Sequence, residues 1–232
     1  MPIDPNQIVR WDQMGIELES FLQACIPTTE EEGKFFHVVT AIAGDAIPNY
    51  WMLRDAYSKD QQDRVAWACR NLLELAVFAE FVVESATNAK EFAEDRLIDG
   101  HQIALQLQNL EAWEKSDETV SHVVPIVQGY VQQMKAEHIT RTQFHRVENI
   151  AKGELKKEFS TVNRLCSKFV HPTAWSLLTA HQGPERFPQA SEILFVYGAK
   201  YFMTVCAALM PHIRQFGLRP RPPRAPNQPE IA

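Results

Sequence analysis

The chain is poor in glycine and cysteine, and its cysteines are not paired at redox or metal-binding spacing. Nine glycines in 232 residues disfavour β-rich and loop-rich designs, which need glycine at turns and bulges. Sustained two-residue alternation, the strand signal, is missing, and Asp99-Gly100 falls inside a helical pattern. Cys25, Cys69, Cys166 and Cys206 form no C-x-x-C pair, which excludes a Cys-based zinc site, a dithiol motif and a disulfide scaffold. Each sits among apolar neighbours and reads as a reduced core residue. None of the eight histidines has Glu three residues before it, so a ferritin-like di-iron site falls. H-E-x-x-H, a Walker loop, G-x-G-x-x-G and G-x-S-x-G are also lacking, which removes zincin, nucleotide, dinucleotide and hydrolase-elbow readings. Glu118 and His122 stand four apart, but one pair is too few ligands for a metal. Thus no cofactor and no metal is expected. The start, MPIDPNQIVRWDQ, has no basic n-region or apolar h-region, so a cytoplasmic location is expected.

What is there is helical patterning in a composition of 45% hydrophobic and 22% charged residues, ample for a packed core. The expectation is an all-α bundle of about six to eight helices over residues 1–217. Asp4 before Pro5 marks the first helix start, and Thr29 with Glu32 forms a capping box for the second. Pro48 is expected to break that second helix, leaving a short helix or turn through Tyr57. A long amphipathic helix follows from about Lys59 to Ala86, broken at Thr87 or Asn88. The next runs from about Ala89 to Lys115, bent or split at Asp99-Gly100. Ser116 and Asp117 cap another to about Ile139, kinked before Pro125. Thr140–Phe144 is a connector or helix start, and a further helix ends at Val170 before His171-Pro172. A Gly/Pro-rich loop spans His181–Gln189. The last helix covers about Ala190–Phe216, with Gly217 as its stop. Its run Ile193–Met210 matches a membrane span in length, but Lys200 near the middle is penalised there, so a bundle core helix is expected and no membrane. The five tryptophans are scattered, which suits core or interface packing. Residues 218–232, rich in Pro and Arg, are expected to be a disordered tail.

Charge is unevenly spread. Residues 1–134 hold 9 Lys/Arg against 22 Asp/Glu, a balance of −13. Residues 135–171 hold 8 against 4, or +4, inside a chain of net charge −6. An anionic ligand would meet that basic segment first; equally, the segment could offset acidic neighbours. Within it, N-R-L-C-S-K-F-V-H-P carries Arg164, Ser167, Lys168 and His171. At about 100° per residue, Arg164 and His171 share one helix face with Ser167 between them. An arginine fork can clamp a phosphate, and a histidine can shuttle a proton near neutral pH. Metal-independent RNA cleavage needs those two functions. A purely structural role produces the same residues, with Arg164 paired to an acid of another helix and His171 at a helix C-terminus. Arg70 and Glu74, one turn apart in an apolar helix, form either a salt bridge at the stripe's edge or a support for the same cavity.

R-N-L-L-E at 70–74 followed by S-K-F-V-H-P at 167–172 resembles a bacterial all-helical family of unknown function, itself distantly similar to the HEPN superfamily. The likeness covers about residues 55–215. HEPN ribonucleases carry R-x4-6-H on a helix, and Arg164 to His171 is R-x6-H. Many carry a polar residue, often Asn, directly after the arginine; here Leu165 follows and Asn163 precedes. The resemblance implies a metal-independent endoribonuclease, of a toxin or phage-defence kind, with Arg164 and His171 catalytic and Ser167, Lys168, Arg70 and Glu74 supporting. It also implies RNA as substrate, a homodimer that joins two motifs at one cleft, and an antitoxin or other protein partner. Some members are non-catalytic interaction modules, and that alternative stays open here.

Overall fold

In the first helix, α1 (Pro5–Ala24), the Asp4 carboxylate accepts the Asn6 N–H at 2.9 Å, and Pro5 occupies a position that needs no donor. The computed structural model describes residues 3–27, 29–114, 117–170 and 189–218. After α1 the chain extends into β1 (Cys25–Ile26), which pairs antiparallel with β2 (Gly217–Leu218) and ties the end of α1 to the last described residues of the chain. In α2 (Glu30–Ser58) the capping box forms as expected. Thr29 Oγ1 accepts the Glu32 N–H, and the Glu32 carboxylate accepts the Thr29 N–H, both at 3.1 Å.

Pro48 does not break α2, contrary to expectation. Pro48 and Gly44 are both exposed, so the Gly44 carbonyl that loses its donor faces water. Asn49 Nδ2 donates to the Asp45 carbonyl at 2.8 Å, supporting the next rung. The helix instead ends on Asp60, whose φ is 53°. Gln61 N–H bonds the Ala56 carbonyl at 2.9 Å and Asp60 N–H bonds that of Tyr57 at 3.2 Å, a Schellman closure with Asp in the left-handed position. That turn delays α3 to Gln62–Glu84.

The break between α3 and α4 (Ala86–Glu114) comes at extended Ser85. Ser85 Oγ accepts the Asn88 N–H at 3.0 Å, and Asn88 Nδ2 donates back to the Phe81 carbonyl at 2.9 Å. Asn88 thus caps α3 from inside the first turn of α4. At Asp99-Gly100 α4 continues unbroken, because Gly100 meets a neighbour: a Cβ there would lie 2.7 Å from the Tyr130 ring of α5 (Asp117–Ala136). Helix α5 continues through Pro125 and closes with His138 at φ 56°. Then come the connector, α6 (Val147–Ile150), α7 (Gly153–Val170) and α8 (Ala190–Ile213).

The result is an all-α bundle with eight helices among the described residues. Helix α3 lies at its centre, packed on α2, α7 and α8, while α1 covers α2 and α8. Small residues set the closest approach: a Cβ on Gly198 would meet Leu53 Cδ2 at 2.7 Å and Cys69 Cα at 3.3 Å. Aromatic pairs fill the α1–α2–α8 layer, with Tyr50 stacked on Phe202 at 4.3 Å and Tyr57 on Phe195 at 4.2 Å. All four cysteines are buried and free. Helix α8 is long and apolar enough to cross a membrane, yet 56% of its most apolar window is buried inside the bundle. Helix α5 packs principally on α4. The expected Pro/Arg tail beyond residue 218, His171 and most of the Gly/Pro-rich loop lie outside the described residues.

Candidate functional site: the seam of α3 and α7

Helix α7 buries Leu155, Phe159, Val162 and Cys166, four positions on one stripe, against the bundle. The two helices run antiparallel. Cys69 and Cys166 meet at one end, where their mutual hydrogen bond, and then burial, push the Cys69 thiol up. At the other end Lys152 Nζ bonds the Glu84 carboxylate at 2.6 Å. That bond pulls the exposed Glu84 carboxyl below its ordinary value.

Between these ends Arg70 reaches across the seam. Its Nε donates to Asn163 Oδ1 at 2.9 Å, and Nη2 pairs with Glu74 Oε1 at 2.9 Å. Both charged side chains are 28% exposed. Burial raises the Glu74 carboxyl, Arg70 opposes that rise, and Glu148 adds to it. Ser167 is half-buried, and its hydroxyl donates to the Asn163 carbonyl one turn back at 2.8 Å. Arg70, Glu74 and the Asn163 side chain therefore form one seam network, and Ser167 bonds only the backbone of its own helix.

Arg164 lies outside that network. The stripe that buries Leu155 to Cys166 turns Arg164 outward, and it is exposed, as are Lys156, Lys157 and Lys168. Among the described residues no carboxylate pairs with Arg164 or Lys168, and Glu74 is held by Arg70. Lys157 has only a loose partner in Glu154, at 3.5 Å with both side chains above 70% exposed, which leaves most of its charge to solvent. The outer face of α7 is therefore a basic strip in an acidic chain. It can attract polyanions and offer an arginine fork to a phosphate.

So the structure brings Arg70 and Glu74 together with Asn163, and leaves Ser167 bonded to the backbone of its own helix. It sets Arg164 and Lys168 on the neighbouring outward face. Asn163 is the residue the motif reading missed. Its signal was present as an amide directly before Arg164, but the pattern looked for one directly after. At the Glu84–Lys152 end of the seam, a cavity of about 200 Å³ is lined by Val77, Glu80, Phe81, Glu84, Ile150 and Lys152. That is smaller than sites that enclose drug-sized ligands. Among the described residues no group of three or more His, Cys, Asp or Glu could hold a metal ion. Comparison with protein-family models, curated proteins and solved structures gives no match.

Proposed function

We propose that this protein is a HEPN-like, metal-independent endoribonuclease that docks RNA on the outer face of α7. The observation that supports it is Arg164: exposed, unpaired by any described carboxylate, and flanked by Lys156, Lys157 and Lys168. In this reading the Arg164 guanidinium binds the scissile phosphate and stabilises charge on its non-bridging oxygens. His171 takes the proton of the 2′-hydroxyl, the 2′-oxygen attacks phosphorus, and the 5′-oxygen leaves with a proton returned to it. The product ends are a 2′,3′-cyclic phosphate and a 5′-hydroxyl. Arg70 and Glu74 brace α7 through Asn163 and do not touch substrate.

The second reading is a non-catalytic helical interaction module, and the closed Arg70–Glu74–Asn163 network favours it, because those polar groups already satisfy one another. Cleavage of a mixed RNA substrate in EDTA separates the two. Wild type is expected to cleave with cyclic-phosphate ends, while Arg164→Ala and His171→Ala fold normally and fail to cleave. RNA binding without cleavage by all three proteins, with affinity that drops in Arg164→Ala, would establish the interaction module instead.

A further inference from the structure

The cavity at the end of the α3–α7 seam carries an unmatched charge. It holds about 200 Å³ where the last turns of α3 meet Ile150 of α6 and Lys152 at the entry to α7. Val77, Phe81 and Ile150 form its apolar wall, and Glu80, Glu84 and Lys152 its polar one. Val77 is buried, and Phe81 and Ile150 are half-buried. Glu80 and Glu84 stand one turn apart on one side of α3, yet only Glu84 is matched. Both of its oxygens accept from Lys152 Nζ at 2.6 Å, and Oε2 also accepts from Asn88 Nδ2 at 3.1 Å. Among the described residues no hydrogen bond or ion pair reaches Glu80. Burial alone raises its carboxyl, and no cation draws it back.

We propose that this cavity binds a small primary alkylammonium ion, its ammonium on Glu80 and its hydrocarbon chain on Val77, Phe81 and Ile150. Charge selects the sign of the ligand. Two carboxylates against one lysine leave the wall negative, and Lys152 is already committed to both oxygens of Glu84, so a cation is favoured over an anion. Chemistry selects an organic cation over a metal ion. Glu80 alone is too few ligands for a metal, and no group of three could hold one among the described residues. A hydrated inorganic ion would also leave the apolar wall wet, whereas an alkyl chain covers it. The Phe81 ring, next to Glu80 in the wall, adds its own attraction for an ammonium. The volume admits a short chain and excludes a drug-sized molecule. The inference stands whether or not the protein cleaves RNA.

Amide NMR of the isotope-labelled full-length chain, titrated with pentylammonium near neutral pH, tests it. Shifts should cluster at residues 77–84 and 150–152 and saturate with a Kd of about 1 mM, ordinary for a ligand of this size. Pentanol and pentanoate carry the same chain without the positive charge and should bind at least about fivefold more weakly. Glu80→Gln keeps the shape and removes the charge, and should weaken pentylammonium by about fivefold. The rest of its spectrum should stay unchanged, since Glu80 is exposed. If that variant fails to fold, Ile150→Lys sets a fixed ammonium in the wall and should abolish binding. The absence of saturable shifts up to about 20 mM, well above the expected range, overturns the proposal. So does pentanol that binds as tightly as the amine, or a Kd that neither substitution moves.

Discussion

Replacing Arg70 by Met keeps the aliphatic stem in the seam and removes the guanidinium. Asn163 Oδ1 then loses a donor that sat at 2.9 Å, and Glu74 loses a cation at 2.9 Å while staying mostly covered. A partly buried hydrogen bond of this kind contributes about 1 kcal/mol, and stranding the carboxylate adds about 1 kcal/mol more. The expected loss at pH 7.5 is thus about 2 kcal/mol, or about 4–8 °C in melting temperature for a chain of this size. The pH dependence distinguishes the two parts. Glu74 already titrates above its ordinary value because burial disfavours its charge, with Glu148 adding to that and Arg70 opposing it. A carboxyl raised in the folded state holds its stability contribution below the unfolded value and loses it as pH rises through the folded one. Without Arg70 the folded value climbs further, so the loss extends to higher pH. At about pH 4, near the unfolded value, Glu74 is largely protonated and only the Asn163 share should remain, about 1 kcal/mol. Urea denaturation of wild type and Arg70→Met at both pH values measures this. An equal deficit at the two pH values, or a larger one in acid, would refute the reasoning. RNA cleavage by the folded variant should stay within about threefold of wild type, as expected for a brace that makes no transition-state contact.

Three other outcomes are expected. Asp95 accepts from Arg141 Nη1 at 2.9 Å and from the His145 N–H at 3.0 Å, which fastens the connector before α6 onto α4. Asp95→Ala should release it at a cost of about 2 kcal/mol, and native-state tryptic cleavage at Arg141 or Arg146 should quicken about 30-fold, read by mass spectrometry. Burial raises the Tyr50 and Tyr201 hydroxyls, helped by Asp12 at Tyr50 and by Glu158 at Tyr201. They hold their protons where unfolded tyrosines begin to release them, so stability should fall above about pH 10 by about 1.4 kcal/mol per pH unit for each. Tyr50→Phe should flatten that fall in alkaline melting curves. Gly198→Ala should lower stability by about 1–2 kcal/mol despite better helix propensity, because its Cβ has Cys69 backbone at 3.3 Å and Leu53 is fully buried. Thermal melting of that variant beside Gly44→Ala, where no atom lies within 4 Å, isolates the packing effect.

Where a boundary is decided by groups within one turn, the sequence was sufficient. Asp4 with Pro5 and Thr29 with Glu32 carry their own hydrogen-bond partners, and the helices start there. Boundaries failed where a residue's surroundings outweighed its propensity. Pro48 is a breaker only if its orphaned carbonyl has nowhere to go, and exposure at Gly44 supplies water. Gly100 looked like a flexible joint, but the missing Cβ is space for the Tyr130 ring, thirty residues on. Asn88 was read as a breaker at its own position. It acts backward on Phe81 and lets Ser85 carry the break.

The same logic governs the site. Helical periodicity placed Arg164, Ser167 and Lys168 around one side of α7, and α3 divides that side in two. Asn163, within about a third of a turn of the α3 contact, is drawn into the Arg70 network, and Ser167 beside it is half-buried and bonds the backbone of its own helix. Those turned further, Arg164 and Lys168, face solvent. No spacing rule within one helix could show which residues fall on each side, because the dividing element is contributed by a residue 93 positions away in sequence. The consequence is a division of labour. An arginine whose Nε and Nη2 are held by an amide and a carboxylate keeps only part of its donor set, and the carboxylate beside it offsets its charge toward a phosphate. One facing solvent beside three lysines has all of it. On the proposed reading, anion chemistry at this seam runs through Arg164, while Arg70 braces the helix that carries Arg164 through Asn163.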